Sequence, residues 1–139
     1  MPAIPYLLIL DDDPEDRDLI AEAFQVQNPE VMIKHAGASE ELLSYLGRCA
    51  EDDLPTVLLL DYQMPGLNGR EVLQALQTDT RYNSIVKVMW STSQRVKDMQ
   101  DCKKLGASHY LIKPSSNTEL DKLIHQLKAI FDFSSRSRN

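Results

Sequence analysis

The chain has 139 residues and a formal net charge of −6, and 42% of its residues are hydrophobic. This length predicts one domain with a buried core of its own. The acidic balance argues against general binding to nucleic acids or membrane surfaces, because both are polyanionic. Cys49 and Cys102 are too few for a disulfide framework, and no apolar stretch approaches the length of a membrane span. We therefore expect a soluble, cytoplasmic protein.

Short apolar runs along the chain predict β-strands. They cover residues 6–10, 31–35, 56–60, 85–90 and 108–112. An amphipathic segment follows each run, so the chain consists of five βα units in succession. That succession predicts a mostly parallel sheet with helices on both faces.

Residues with a capping function mark where several helices begin and end. Asp13 and Pro14 are expected as the N-cap and first residue of the first helix. Ser39 is expected to cap the second helix, and Gly106 predicts a left-handed stop after the fourth. Residues 116–119, with the sequence SNTE, form a capping box at the start of the last helix.

Polar side chains follow four of the five strands at the point where each strand ends. Asp11 and Asp12 follow the first strand, Asp61 the third, Ser91 the fourth and Lys113 the fifth. Ligands of a doubly wound sheet bind beyond the carboxyl ends of the strands, where the strand order reverses. An order of 2-1-3-4-5 would put the second strand at an edge and gather the other four ends. The pattern favours that order, and a site for a divalent cation and a phosphoryl group.

Each of these residues also has a purely structural explanation. Lys113 fits a surface lysine and Ser91 fits a helix cap, although Ser93 lies nearer the next helix. Adjacent carboxylates such as Asp11 and Asp12 repel each other, and a hard cation with oxygen ligands is the usual remedy. The combination therefore favours a functional site over separate structural roles.

The ordered set of motifs resembles the receiver domain of two-component response regulators over nearly the whole chain. The matching segments are residues 10–14 (LDDDP), residues 60–69 (LDYQMPGLNG), Ser91 and residues 106–114 (GASHYLIKP). The resemblance implies a flavodoxin-like α/β fold, a doubly wound five-stranded parallel sheet of order 2-1-3-4-5 with helices on both faces. We assign the receiver domain to residues 1–132 and expect residues 133–139 to be a polar, flexible tail.

The resemblance implies how the phosphoryl group is bound. Asp61 would be the phosphoacceptor, and Ser91 and Lys113 would bind phosphoryl oxygens. Tyr110 would be the switch aromatic, which turns inward when Ser91 is drawn to the phosphate. The peptide bond between Lys113 and Pro114 would be cis, as is typical of the family.

The resemblance also implies Mg²⁺ as the cofactor. Asp12, Asp61 and the backbone carbonyl of Gln63 would be direct ligands, and Asp11 would act through water. Gln63 and Ser93 occupy positions that tune the phosphoryl lifetime in this family.

Two other classes of protein are alternatives for this site. Mg²⁺-dependent aspartyl-phosphate phosphatases have a similar site, but they need an acid two positions after the nucleophile, where this chain has Gln63. A degenerate receiver that acts only as a binding adaptor is disfavoured, because Asp12, Asp61, Ser91 and Lys113 are all present.

A protein of this family would be a phosphoacceptor, which catalyses only its own phosphorylation and dephosphorylation. The implied phosphodonor is a sensor histidine kinase or a histidine phosphotransfer protein. No output domain follows the last predicted helix, so we expect a stand-alone receiver. Its signal would reach a downstream protein through the face from the fourth helix to the fifth. The resemblance leaves a homodimer open, and we expect neither nucleic acid nor membrane as a partner.

The tryptophan and the histidines are assigned structural roles. Trp90, directly before Ser91, is expected to be buried in the core, with a partner contact as the alternative. His35, His109 and His125 lack the spacing of metal ligands and are expected to be structural or exposed.

Overall fold

A computed structural model of the chain describes residues 4–137, which form a central sheet flanked by helices. The strands are β1 (Tyr6–Leu10), β2 (Met32–Ala36), β3 (Val57–Asp61), β4 (Val86–Ser91) and β5 (Ala107–Ile112). The α-helices are α1 (Pro14–Gln27), α2 (Ser39–Arg48), α3 (Gly69–Gln77), α4 (Val96–Lys104) and α5 (Asn117–Ser137). Short 3-10 helices at Glu51–Asp53 and Thr80–Ser84 precede β3 and β4. Within these residues, no helix is both long enough and apolar enough to cross a bilayer.

The strands form one parallel sheet in the order β2-β1-β3-β4-β5, which confirms the predicted topology. Every residue of β1 and β3 is buried, because these strands are central and have helices on both faces. β2 lies at an edge, and most of its residues are partly or fully exposed. Its lack of a polar residue suited to the site agrees with that position.

The two faces of the sheet form separate hydrophobic clusters, because successive strand residues point to opposite faces. One cluster joins Leu8, Leu58 and Met89 to the apolar sides of α2, α3 and α4. The other joins residues such as Ile9 and Trp90 to α1 and α5. Trp90 is 1% exposed, so its predicted place in the core is confirmed.

The ends of two helices agree with the predicted capping. The Asp13 carboxylate caps α1 by accepting the N–H of Glu15 at 2.9 Å, and Pro14 is the first helical residue. Gly106 follows the end of α4 with a φ of +105°, a left-handed conformation that costs glycine little.

Ser39 does not cap α2, contrary to the prediction. The N-cap is Ala38, and the buried Ser39 hydroxyl donates instead to the carbonyl of Leu67 at 2.6 Å. The loop that leads into α3 lies close enough to accept this hydrogen bond. A contact between segments distant in sequence has therefore displaced a local cap.

The last helix is longer than predicted. It begins after Ser116, whose hydroxyl accepts the N–H of Glu119 at 3.1 Å, while the Glu119 carboxylate accepts the N–H of Ser115. Residues 133–137, expected to belong to a flexible tail, continue α5. Ser134 is buried there and donates to the carbonyl of Ile130. Residues 138 and 139 of the expected tail lie outside the described residues.

Candidate functional site

Three carboxylates meet at the carboxyl ends of β1 and β3. One oxygen each from Asp11, Asp12 and Asp61 lies within 4.8 Å of the others. They meet because β1 and β3 are neighbours in the sheet, with Leu10 paired to Leu60. Asp11 and Asp61 are buried and Asp12 is exposed, so the group opens to solvent on one side. Such a set of oxygen atoms suits a hard divalent cation.

Short turns fix the orientation of the two buried carboxylates. Asp11 Oδ1 accepts the N–H of Asp13 at 2.9 Å, and Asp61 Oδ1 accepts the N–H of Gln63 at 3.1 Å. Each aspartate thereby folds the backbone after its strand back over its own side chain. A Cβ atom at Gly69 would lie 2.6 Å from the carbonyl oxygen of Asp61, so a glycine lets α3 begin against the end of β3.

Lys113 places its ammonium group among these acids. Its Nζ lies 3.1 Å from Asp11 Oδ2, 3.2 Å from Asp61 Oδ2 and 3.0 Å from Asp16 Oδ2. Nζ also lies 4.6 Å from the ring centroid of Trp90. The backbone N–H of Lys113 donates to the carbonyl of Ser91, which anchors the residue beside the end of β4.

Burial and the neighbouring charges shift the pKa values of Asp61 and Lys113. Burial and the carboxylate of Asp11 raise the pKa of Asp61 to about 7, against the opposing effects of Lys113 and the N–H of Gln63. Burial lowers the pKa of Lys113, but the carboxylates of Asp16, Asp61 and Asp11 outweigh it and raise the pKa overall. The carboxylates of Asp11, Asp12, Asp16 and Asp61 surround this one ammonium, so negative charge is in excess.

The loop after β4 connects Ser91 with Tyr110. The hydroxyl of the buried Ser91 accepts the N–H of Ser93 at 3.0 Å, and the carbonyl of Ser93 accepts the hydroxyl of Tyr110 at 3.1 Å. The Ser93 hydroxyl donates to the carboxylate of Asp98 at 2.7 Å. The Ser93 oxygen also accepts the N–H of Arg95 at 3.3 Å, and Arg95 rather than Ser93 is the N-cap of α4. The two residues predicted to form the switch are joined through one intervening residue.

One prediction about the backbone is wrong. No peptide bond among residues 4–137 is cis, so the bond between Lys113 and Pro114 is trans. The trans isomer is the one that an X–Pro bond prefers, by about 0.5–1 kcal/mol.

The histidines occupy the positions expected of them. His35, His109 and His125 are all exposed.

Two contacts of Lys113 were not predicted from the sequence. One is the ion pair with Asp16 and the other is the contact with the indole of Trp90. The sequence does indicate that Asp16 lies near the site, because Asp16 belongs to the first turn of a helix that begins directly after the acidic cluster.

The structure is that of a doubly wound α/β domain with an acidic group, a lysine and a serine at the carboxyl edge of a parallel sheet. This edge is where such sheets bind their ligands.

Comparison with known proteins identifies the family. A model of the response regulator receiver domain matches residues 7–125, and the chain belongs to this family. PilH of Pseudomonas aeruginosa is 28% identical over 88% of this chain and 97% of its own.

Two solved structures show the same fold. The phosphorylated cyanobacterial phytochrome response regulator RcpA superposes with a TM-score of 0.82 at 24% identity, over 93% of this chain and 94% of that one. The Mn²⁺-bound form of response regulator Rcp1 superposes with a TM-score of 0.73 at 22% identity, over 90% and 93% of the two chains.

Proposed function

We propose that the chain accepts a phosphoryl group on Asp61 and passes the resulting conformational change to a partner protein. The observation that carries the proposal is the position of Asp61 at the end of a buried strand, beside the Asp11 carboxylate and in contact with the Lys113 ammonium. A carboxylate in such a place is costly unless its charge is used. The donor would be a histidine kinase or a histidine phosphotransfer protein, and the location would be the cytoplasm.

The residues present fit a bound Mg²⁺ ion. Every candidate ligand atom is an oxygen, and an excess of negative charge surrounds the exposed Asp12. Asp12, Asp61 and the carbonyl of Gln63 would hold the ion, and Asp11 would act through water. The chemistry that Mg²⁺ supplies when bound is positive charge beside the phosphoryl oxygens. The related fold of Rcp1 with bound Mn²⁺ supports a divalent cation here.

The transfer itself needs little from the protein beyond orientation and charge. An oxygen of the Asp61 carboxylate attacks phosphorus, and a new O–P bond forms. The bond from phosphorus to the imidazole nitrogen of the donor breaks, and its electron pair leaves on that nitrogen. Lys113 already contacts Asp61 at 3.2 Å, so its ammonium is placed to receive a phosphoryl oxygen as the charge moves outward.

The response would pass through the loop after β4. The Ser91 hydroxyl accepts a hydrogen bond from Ser93, so its own O–H remains a donor for a phosphoryl oxygen. A movement of Ser91 would displace Ser93, whose carbonyl holds the hydroxyl of Tyr110. The signal would then reach the surface formed by α4, β5 and α5, where a depression of about 570 Å³ lies beside Tyr110 and Lys113.

Labelling of Asp61 tests the proposal directly. The protein is incubated with acetyl phosphate and Mg²⁺, and with a phosphorylated histidine kinase, and the acyl phosphate is located by mass spectrometry. Asp61→Asn should abolish labelling. Asp121→Asn makes the same chemical change at an exposed position of α5 and should label like the wild type. Equal labelling of Asp61→Asn and the wild type would exclude Asp61 as the phosphoacceptor.

A further inference from the structure

The shortest ion pair of Lys113 is made by a residue outside the proposed phosphoryl and metal site. Asp16 Oδ2 lies 3.0 Å from Lys113 Nζ, and Asp16 belongs to the first turn of α1. The Asp16 side chain is 37% exposed, whereas that of Asp11 is fully buried. The proposed phosphoryl transfer assigns no role to Asp16.

The donor groups of the Lys113 ammonium are fully used. An ammonium has three N–H donors, and Nζ donates to Asp11, Asp16 and Asp61. The Trp90 ring, with its centroid 4.6 Å from Nζ, covers a further side of the group. Lys113 can therefore donate to a phosphoryl oxygen only if it breaks its hydrogen bond to one of these three carboxylates.

We propose that Asp16 is a positioning residue that acts through Lys113: it competes with the phosphoryl group for the ammonium and so weakens the phosphorylated state. This inference rests on the proposed phosphorylation of Asp61. It adds a carboxylate whose charge sets how tightly the site holds a phosphoryl group.

Competition outweighs any anchoring that Asp16 provides. Without Asp16, the ammonium would still contact Asp11 at 3.1 Å, Asp61 at 3.2 Å and the face of Trp90. Asp16 is also the carboxylate that releases Lys113 at least cost, because its partly exposed side chain can be solvated. Removing its charge should therefore leave Lys113 in place and free one donor for the phosphoryl oxygen.

The charge of Asp16 should affect anions and cations in opposite directions. Asp16→Asn keeps an oxygen acceptor near Lys113 but removes one negative charge beside the site. Beryllofluoride, an anion that mimics the phosphoryl group, should bind roughly three- to tenfold more tightly, since the lost charge lies within a few ångströms in partly solvated surroundings. Mg²⁺ alone should bind more weakly. General damage to the site would weaken the binding of both ligands. Opposite changes in the two affinities therefore identify a charge effect.

The experiment is calorimetric titration of the full chain with Mg²⁺ alone, and with beryllofluoride at saturating Mg²⁺. The variants are Asp16→Asn and Asp16→Ser, the second guarding against a folding defect specific to the first. The matched control is Asp18→Asn, which removes the same charge from an exposed position of α1. The titrations are repeated at about 0.02 M and about 0.5 M salt, where screening should reduce the effect of Asp16.

The inference holds if both Asp16 variants bind beryllofluoride more tightly than the wild type and do not bind Mg²⁺ more tightly. It also requires that Asp18→Asn change either affinity less than about twofold. It is overturned if neither variant gains beryllofluoride affinity, if Asp18→Asn gains as much, or if Mg²⁺ affinity rises in parallel. Failure of the proposed function looks different, because the wild type itself would then neither bind beryllofluoride with Mg²⁺ nor be labelled at Asp61.

Discussion

The ammonium of Lys113 lies 4.6 Å from the centroid of the Trp90 indole ring. A lysine cation over an aromatic face is an attractive contact, and it makes the indole sensitive to any movement of the ammonium. Trp90 is the only tryptophan of the chain, and its buried Nε1 has no hydrogen-bond partner among the described residues. The indole is therefore a built-in reporter of how Lys113 is bound.

Beryllofluoride with Mg²⁺ should change the fluorescence of Trp90, because the fluoride atoms would draw the ammonium from its present position. Lys113→Ala should reduce the change, since it removes the group that moves over the ring. Ser91→Ala should also weaken it while leaving Asp61 open to phosphorylation. Lys97→Ala, an exposed change on α4, serves as the control and should respond like the wild type. If Lys113→Ala and Ser91→Ala responded like the wild type, neither residue would couple the site to the indole.

Mg²⁺ should raise the melting temperature, because it relieves the repulsion among Asp11, Asp12 and Asp61. At about 100 times its Kd, a ligand of the folded state adds about 2.7 kcal/mol of stability. Asp12→Ala should remove most of this gain and leave the protein folded, since Asp12 is exposed. Thermal unfolding with and without Mg²⁺ measures the effect, with the exposed Asp52→Ala as the control. A full Mg²⁺ response in Asp12→Ala would place the ion elsewhere.

Asp61→Asn should stabilise the metal-free protein at alkaline pH. The pKa of Asp61 in the fold is about 7, above its ordinary value of 3.8, so the unfolded chain loses this proton first as the pH rises. Ionisation of Asp61 therefore lowers the free energy of unfolding as the pH rises from about 4 to about 7. Above that range the free energy lost stays constant. The variant avoids this loss and should gain about 1–3 kcal/mol at pH 8.

Urea unfolding in the presence of a chelator measures this gain at pH 8 and again near pH 4. Most of the gain should disappear at the acid end, where the carboxyl is protonated in the fold and close to half protonated in the unfolded chain. Saturating Mg²⁺ should also diminish it at pH 8, because the ion neutralises the same charge. A gain of equal size at both pH values would exclude ionisation of Asp61 as its cause.

Gly69→Ala should destabilise the protein by about 1–3 kcal/mol, the usual cost of overpacking. The new Cβ would lie 2.6 Å from the Asp61 carbonyl oxygen and 2.9 Å from the Cα of Tyr62, so the end of β3 must shift. Phosphorylation should slow as well, because Asp61 shares that backbone. Gly47→Ala is the matched control, with no atom within 4 Å of the new Cβ, and should gain up to about 1 kcal/mol from its place in a helix. Urea unfolding of both variants decides between these expectations.

The order of apolar runs and polar residues along the chain was enough to predict the architecture and which side chains meet at the carboxyl edge of the sheet. A continuous apolar run such as that of β3 favours a strand buried on both faces, and its alternation with amphipathic segments predicts a parallel sheet with helices on both sides. In such a sheet the carboxyl ends lie at one edge, so Asp11, Asp61 and Lys113 had to converge once the strand order was known. Capping by Asp13 is a local effect, and the local sequence predicted it.

Contacts between segments that lie far apart in the chain could not be predicted from the sequence. The ion pair of Asp16 with Lys113 joins residues 97 positions apart, and it depends on how α1 packs beside the end of β5. The same holds for Ser39, whose hydroxyl donates to Leu67 because the loop before α3 lies within reach. A local pattern predicts which element forms and which face it buries. The partner of a given side chain depends on helix packing, in which displacements of an ångström decide whether a hydrogen bond exists.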